Sequence, residues 1–241
     1  MRWVAFCAGL SLCVGIATPA RTQNIGAEAR AAFARGMTAI GGGRIDVARE
    51  AFARAAELAP EWGLAFLEWG IVEASVDPKS ALAIECLKKA AALTPGNPRV
   101  HYQLGLLFEQ QAKSDDAIRE LKAALALRPT MRDARYRLAQ MLILAGARDD
   151  ALAAFQAVIA EEPEHTGALA AIAEIFEQTG KLAEAEQALV TLTRIQPQVA
   201  YNHYRLGQFY ERTGNARKAK QAFARADALD PRPKRNMRQL K

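Results

Sequence analysis

Six prolines recur along this chain at nearly equal intervals, Pro60, Pro95, Pro129, Pro163, Pro197 and Pro231, with spacings of 35, 34, 34, 34 and 34 residues. A period of that length confines the chain to stacked copies of one small unit, because each copy is too short to bury an apolar face alone. Each interval holds two apolar segments with recurrences at three and four residues, the period of a helix facing a core, and no alternating pattern competes. The last interval is the plainest. Leu206, Gly207 and Tyr210 share one stripe of a first helix, and Ala219, Phe223 and Ala226 share one stripe of a second. Gly207 and Ala219 are small where two backbones must approach, while Leu206, Tyr210 and Phe223 fill the seam. Proline ends the second helix, since its ring fixes φ and removes an amide donor.

The same template lies over the earlier copies. It gives Gly36, Ala48, Phe52 and Ala55; Trp69, Gly70, Ala83, Leu87 and Ala90; Leu104, Gly105, Phe108, Ala117, Leu121 and Ala124. It continues with Leu138, Ala139, Leu142, Ala151, Phe155 and Val158, then Ile172, Ala173, Phe176, Ala185, Leu189 and Leu192. The extra residue of the second copy belongs to the turn between Ser75 and Ser80, because both flanking helices keep register. Glycines mark the other turns, at Gly41-Gly42-Gly43, Gly146, Gly180 and Gly214, and Asp46, Asp115, Asp116, Asp149 and Asp150 open second helices where they complement the dipole.

The pattern His203-x2-Leu206-Gly207-x2-Tyr210, Ala219-x3-Phe223-x2-Ala226, Pro231 resembles the tetratricopeptide repeat, with His203 where the family usually has Trp. The resemblance covers residues 29–231. It implies an all-α fold, a right-handed superhelical solenoid of six helix-turn-helix repeats at 29–62, 63–97, 98–131, 132–165, 166–199 and 200–231. In that family the first helices line a concave face that binds an extended or helical peptide. The fifth and ninth repeat positions place Phe33, Met37, Leu67, Ile71, Tyr102, Leu106, Tyr136, Gln140, Ala170, Glu174, Tyr204 and Gln208 there, a groove running from apolar to polar. The alternative for Phe33, Met37, Leu67 and Ile71 is packing against neighbouring helices or a dimer mate. The family's clamp for chaperone carboxyl termini, built from Lys, Arg and Asn, is not matched.

Ahead of the repeats, Met1-Arg2, an apolar run from Trp3 to Ile16 and the small residues Ala17-Thr18-Pro19-Ala20 come in the order of a secretory signal cleaved near Ala20. The run falls short of the ~20 residues that span a bilayer. The alternative is lipidation at Cys13, although Leu12 is not the small residue such sites carry. Residues 21–28 read as a linker. Cys7 and Cys13 leave with the signal, so the mature chain keeps only Cys86, which reads as a small buried apolar residue.

Charge settles what the surface offers. Of 32 Lys and Arg, six lie in the signal or in the tail at residues 232–241, so the repeats and linker carry 26 of each sign. A nucleic-acid surface spread over the fold is thereby excluded. No cofactor or metal is expected. His101 and His203 stand three repeats apart, His165 has no second ligand at metal spacing, and Gly41-Gly42-Gly43-Arg44 lacks the Lys and Ser/Thr of a phosphate loop. These features imply a non-catalytic scaffold of the bacterial envelope that binds a protein or peptide in the groove. The second reading is an accessory subunit whose basic tail docks on anionic lipid or cell-wall polymer.

Overall fold

A computed structural model describes residues 25–230, and every regular element among them is an α-helix. The helices are α1 (Ala27–Gly41), α2 (Ile45–Leu58), α3 (Gly63–Val76), α4 (Ala81–Leu93), α5 (Pro98–Gln110), α6 (Ser114–Leu127), α7 (Arg132–Leu144), α8 (Arg148–Glu161), α9 (Thr166–Gln178), α10 (Leu182–Ile195), α11 (Ala200–Arg212) and α12 (Ala216–Leu229). Each odd-numbered helix packs most extensively on the even-numbered helix after it, and each such pair packs on the next pair, which is the architecture of an all-α repeat solenoid. The signal segment and the basic tail lie outside the described residues, as does Pro231.

The prolines act where their chemistry requires. In the first five pairs the second helix ends two residues before its proline, and the residue between them, Ala59, Thr94, Arg128, Glu162 or Gln196, has φ between −122° and −141° and ψ between 64° and 91°. That is the departure from helical geometry that a following proline ring enforces. The turns inside the pairs are equally regular. Five of the six are three residues long, and their middle residue, Gly43, Ala112, Gly146, Gly180 or Gly214, has positive φ. The next amide then reaches back to a carbonyl near the helix end, as in Arg44 to Ala39 at 2.9 Å and Asn215 to Tyr210 at 2.8 Å. The turn between α3 and α4 has four residues and a different closure, with the Lys79 amide donating to Asp77 Oδ1 at 2.9 Å. It holds the extra residue of the second repeat.

Ala112 is the one non-glycine with positive φ among the described residues, at 56°. A Cβ in the left-handed region costs about 1–2 kcal/mol, partly offset in the exchange because glycine makes the unfolded chain more flexible. Ala112→Gly is therefore expected to stabilise the chain by about 0.5–1 kcal/mol, raising Tm by a few degrees in a thermal melt. An unchanged or lower Tm would mean that Ala112 is not strained.

Helix starts use two devices. The second helices with Asp or Glu in the first turn, α2, α6, α8 and α10, have no side-chain cap. The two without, α4 and α12, are capped by Ser80, whose hydroxyl accepts from the Ala83 amide, and Asn215, whose side chain accepts from Lys218. Repeat six, where Arg217 and Lys218 replace the acidic pair, thus substitutes a hydrogen bond for the missing charge.

The core is a set of columns. Ala48, Ala83, Ala117, Ala151, Ala185 and Ala219 occupy one of them and are all buried. Beside it stand Phe52, Leu87, Leu121, Phe155 and Leu189, each at most 2% exposed, facing Gly36, Gly70, Gly105, Ala139 and Ala173 on the first helices. Burying one such side chain contributes about 1.5–3 kcal/mol. Cys86 lies in this core, and burial pushes its thiol up to about 12, with Glu73 and Glu85 adding to the shift. Burial and the raised pKa both keep Cys86 in its neutral thiol form, as a small apolar core residue.

Polar seams tie the repeats together. Glu73 is buried and accepts from Arg49 Nε at 3.1 Å, Arg49 Nη2 at 3.0 Å and Trp69 Nε1 at 3.0 Å, joining α2 to α3. At the far end Glu186 accepts from Lys218 Nζ at 2.6 Å and Tyr210 Oη at 2.8 Å. The lysine first and the tyrosine second hold its carboxyl below the usual range, while burial first and Glu186 second push Tyr210 up to about 12.

Candidate functional site: the face lined by the first helices

Two hollows open between successive first helices. The larger, about 930 Å³, is lined by Glu174, Glu177, Tyr201, Arg205, Gln208 and Arg212 of α9 and α11 among others. The smaller, about 330 Å³, is lined by Glu109 of α5, Tyr136, Gln140, Met141, Ile143 and Leu144 of α7, Phe155 of α8 and Ala171 of α9. Both lie on the side of the first helices that carries the ninth and twelfth repeat positions, the side expected from the repeat pattern to be the inner face.

At two of the five steps, α5 to α7 and α9 to α11, adjacent first helices are joined across that face by ion pairs at one register. Arg137 Nη1 donates to Glu109 Oε1 at 3.0 Å, and Arg205 Nη2 to Glu177 Oε1 at 3.4 Å. Glu177 also takes Arg212 on its other oxygen. Being partly exposed, each pair adds only modestly to stability.

Family models described as tetratricopeptide repeat match residues 29–61, 102–147, 142–203 and 200–233, and one described as TPR repeat matches residues 81–111. The chain is a tetratricopeptide-repeat protein. Among solved structures it is similar to YrrB, described as a TPR protein with an unusual peptide-binding site, at 22% identity and TM-score 0.67, over 76% of this chain and 94% of that one. It is similar to Pseudomonas aeruginosa PilF at 18% identity and TM-score 0.67, over 89% and 98%. PilW, described as a widely conserved type IV pilus biogenesis factor, matches at 18% identity and TM-score 0.67, over 90% and 100%. At such identities the likeness carries the fold. No curated protein matches the sequence.

Within this tetratricopeptide-repeat chain the expected groove residues divide by burial. Met37 is 47% exposed and Glu174 is exposed, accepting from Gln178 Nε2 at 3.4 Å. Ile71, Tyr102, Leu106, Gln140, Ala170 and Gln208 are half-buried. Phe33 is also half-buried, wedged between the rings of Phe52 and Trp62 at centroid distances of 5.3 and 4.6 Å. Tyr136 stacks near His165 at 4.5 Å, in space that a Cβ on Gly167 would occupy at 2.5 Å from the hydroxyl. One assignment needs correction. Leu67 is fully buried in the main core, so its side chain does not face open space, while Tyr204, though largely buried with its ring 5.5 Å from Phe223, lines the larger hollow. Of the amino-terminal apolar set, Met37 is exposed and Phe33 and Ile71 are half-buried.

The exposed apolar residues of this face that the fifth and ninth positions miss are Ile40, Ile143 and Leu144, at 40%, 37% and 70%. They stand at the twelfth and thirteenth positions. Comparing Glu109, Ile143 and Glu177, each 34 residues apart, would have found that column.

The histidines have structural partners. His165 Nδ1 accepts the Ala168 amide at 3.1 Å and caps α9, His101 Nδ1 lies 2.9 Å from Glu120 Oε2, and His203 Nε2 lies 3.1 Å from the Pro197 carbonyl. Among the described residues no group of three His, Cys, Asp or Glu is placed to hold a metal ion, and no helix is long and apolar enough to cross a membrane.

Proposed function

We propose that this chain is a non-catalytic scaffold of the bacterial envelope, exported after cleavage near Ala20, that holds a protein or peptide against the face lined by its first helices. The observation that carries this reading is the exposure of Met37, Ile40 and Leu144 on a face otherwise furnished with hydrogen-bonding side chains such as Gln140, Glu174 and Gln208. Apolar anchors set among polar groups are how a groove grips a segment and still selects it. The YrrB description supports the analogy of a repeat face that binds peptide, and the pilus-assembly context of PilW supports the envelope assignment.

Affinity capture from the envelope fraction, with the mature chain as bait, tests the scaffold. Captured proteins are expected to be retained when residues 232–241 are removed. Their loss on that truncation would move the site to the basic tail and favour docking on an anionic polymer or lipid. Export has its own measurement. Intact mass of the native protein is expected to show a chain starting at or close to Arg21, and a chain beginning at Met1 would contradict it. A lipid adduct on Cys13 would replace cleavage near Ala20 with the alternative processing route.

A further inference from the structure

Of the five steps between first helices across the inner face, two carry an ion pair at one register and one is apolar on both sides. At the step from repeat three to four the two positions are Glu109 and Arg137, and from five to six they are Glu177 and Arg205. The equivalents from four to five, 34 residues on from the first pair, are Ile143 and Ala171. Ile40 with Glu68 and Ala74 with Gln103 complete the series, so only the four-to-five step is apolar on both sides. That is where the 330 Å³ notch opens, with Leu144, 70% exposed, at its edge. Such a volume sits at the small end for a binding pocket, ~300–1,000 Å³, and suits one large side chain.

Acceptors border the notch. Glu109 spends Oε1 on Arg137, and its Oε2 is buried with no hydrogen-bond donor among the described residues. Gln140 turns its amide nitrogen toward Tyr136 Oη at 3.3 Å, and its Oε1 is likewise buried without a donor. Glu174, one turn beyond Ala171 on α9 and lining the neighbouring hollow, is exposed and makes no ion pair among the described residues. The neighbouring cations are already engaged, Arg137 by Glu109 and both Arg205 and Arg212 by Glu177. A segment entering here meets an apolar pocket with the exposed Glu174 carboxylate beside it and must bring its own donor.

We infer that this notch is the selecting pocket of the inner face, taking a leucine- or methionine-sized side chain flanked by lysine or arginine on a partner peptide. The inference rests on the proposed protein-binding role of that face and names the partner's chemistry. Filling the pocket removes Ile143 and Leu144 from water, and a flanking cation pairs with the exposed Glu174 carboxylate beside it. An acidic flank would meet the Glu174 carboxylate, which makes no ion pair among the described residues, and be rejected.

The probes are three fluorescein-labelled Gly-Ser decapeptides with central Lys-Leu-Lys, Lys-Ala-Lys or Glu-Leu-Glu, titrated with the full mature chain and read by anisotropy. The Lys-Leu-Lys peptide is expected to bind at least tenfold tighter than either other. Ile143→Glu with Ala171→Arg rebuilds the missing rung in the pattern of its neighbours, and it is expected to fold normally and lose that tenfold preference. Leu144→Ser, at a position too exposed to matter to folding, is expected to weaken the Lys-Leu-Lys peptide severalfold. Equal affinity for the three peptides, or a preference that survives both the rebuilt rung and Leu144→Ser, would overturn the inference. Whether the inner face binds protein at all is decided separately by envelope capture with charge placed at Met37, so a failed notch and a failed groove give different results.

Discussion

Gly105→Leu is expected to melt roughly 10 °C below the wild-type chain, the largest stability loss foreseen for a single substitution here. A Cβ at Gly105 would lie 2.8 Å from Leu121 Cγ and 3.0 Å from its Cδ2, and Leu121 is fully buried. The rest of a leucine side chain would have to enter the same seam, so α5 and α6 must separate. Overpacking of this kind costs about 1–3 kcal/mol, and this site belongs at the upper end because the obstacle is the branched carbon of a core residue. At 2–4 °C per kcal/mol for a chain of this size, the shift follows. The break also falls mid-array. Since each repeat is stabilised through its neighbours, separating α5 from α6 uncouples repeats one and two from four to six, and the melt should broaden or split. Gly105→Ala is expected to lose much less, as Ala139 and Ala173 occupy this column opposite Phe155 and Leu189. Gly43→Ala has open space around the new Cβ but a φ of +68°, so it costs about 1 kcal/mol through strain. Equal losses for Gly105→Leu and Gly43→Ala would contradict the packing described.

Met37→Glu combined with Leu144→Glu is expected to reduce retention of envelope partners at least tenfold, or about 1.4 kcal/mol, while leaving the melt near that of wild type. The two side chains are 47% and 70% exposed, and substitutions at such surface positions usually change stability by less than about 0.5 kcal/mol. Their value lies in binding, where a few apolar anchors carry most of the energy and a charge placed in the contact must be desolvated. Ile71 shares its repeat position with Met37 but is half-buried against the main core, so Ile71→Glu would mix unfolding with lost binding. Val190→Glu is the matched control, an apolar residue 42% exposed on the second helix α10. It is expected to keep full retention.

Much of the solenoid was legible because a repeated unit repeats its physics. The prolines, the small column at Gly36, Gly70, Gly105, Ala139, Ala173 and Gly207, and the buried alanine column are local requirements that six copies restate in register. The inner face was less legible. One repeat position gives Phe33 wedged between rings, Leu67 fully buried, Tyr102 half-buried and Tyr204 largely buried against Phe223 at the wall of a hollow, because burial depends on the neighbours each copy meets as well as on register. Ala112 hid in the same way: glycine announces a left-handed turn, and the turn between α5 and α6 adopts that geometry without one. The charged rungs join residues 28 positions apart, and their apolar exception at Ile143 and Ala171 becomes visible only when the partner column is known.

The central claim, that partners lie on the face of the first helices, is tested most directly by site-specific photo-cross-linking in the envelope. A benzophenone amino acid is placed in turn at Met37, Leu144 and Glu174 on the inner face, and at Lys122, Gln156 and Val190 on the second helices, all exposed positions. The account predicts partner adducts from the first three and none from the second three. Adducts from Lys122, Gln156 or Val190 with none from Met37, Leu144 or Glu174 would contradict it.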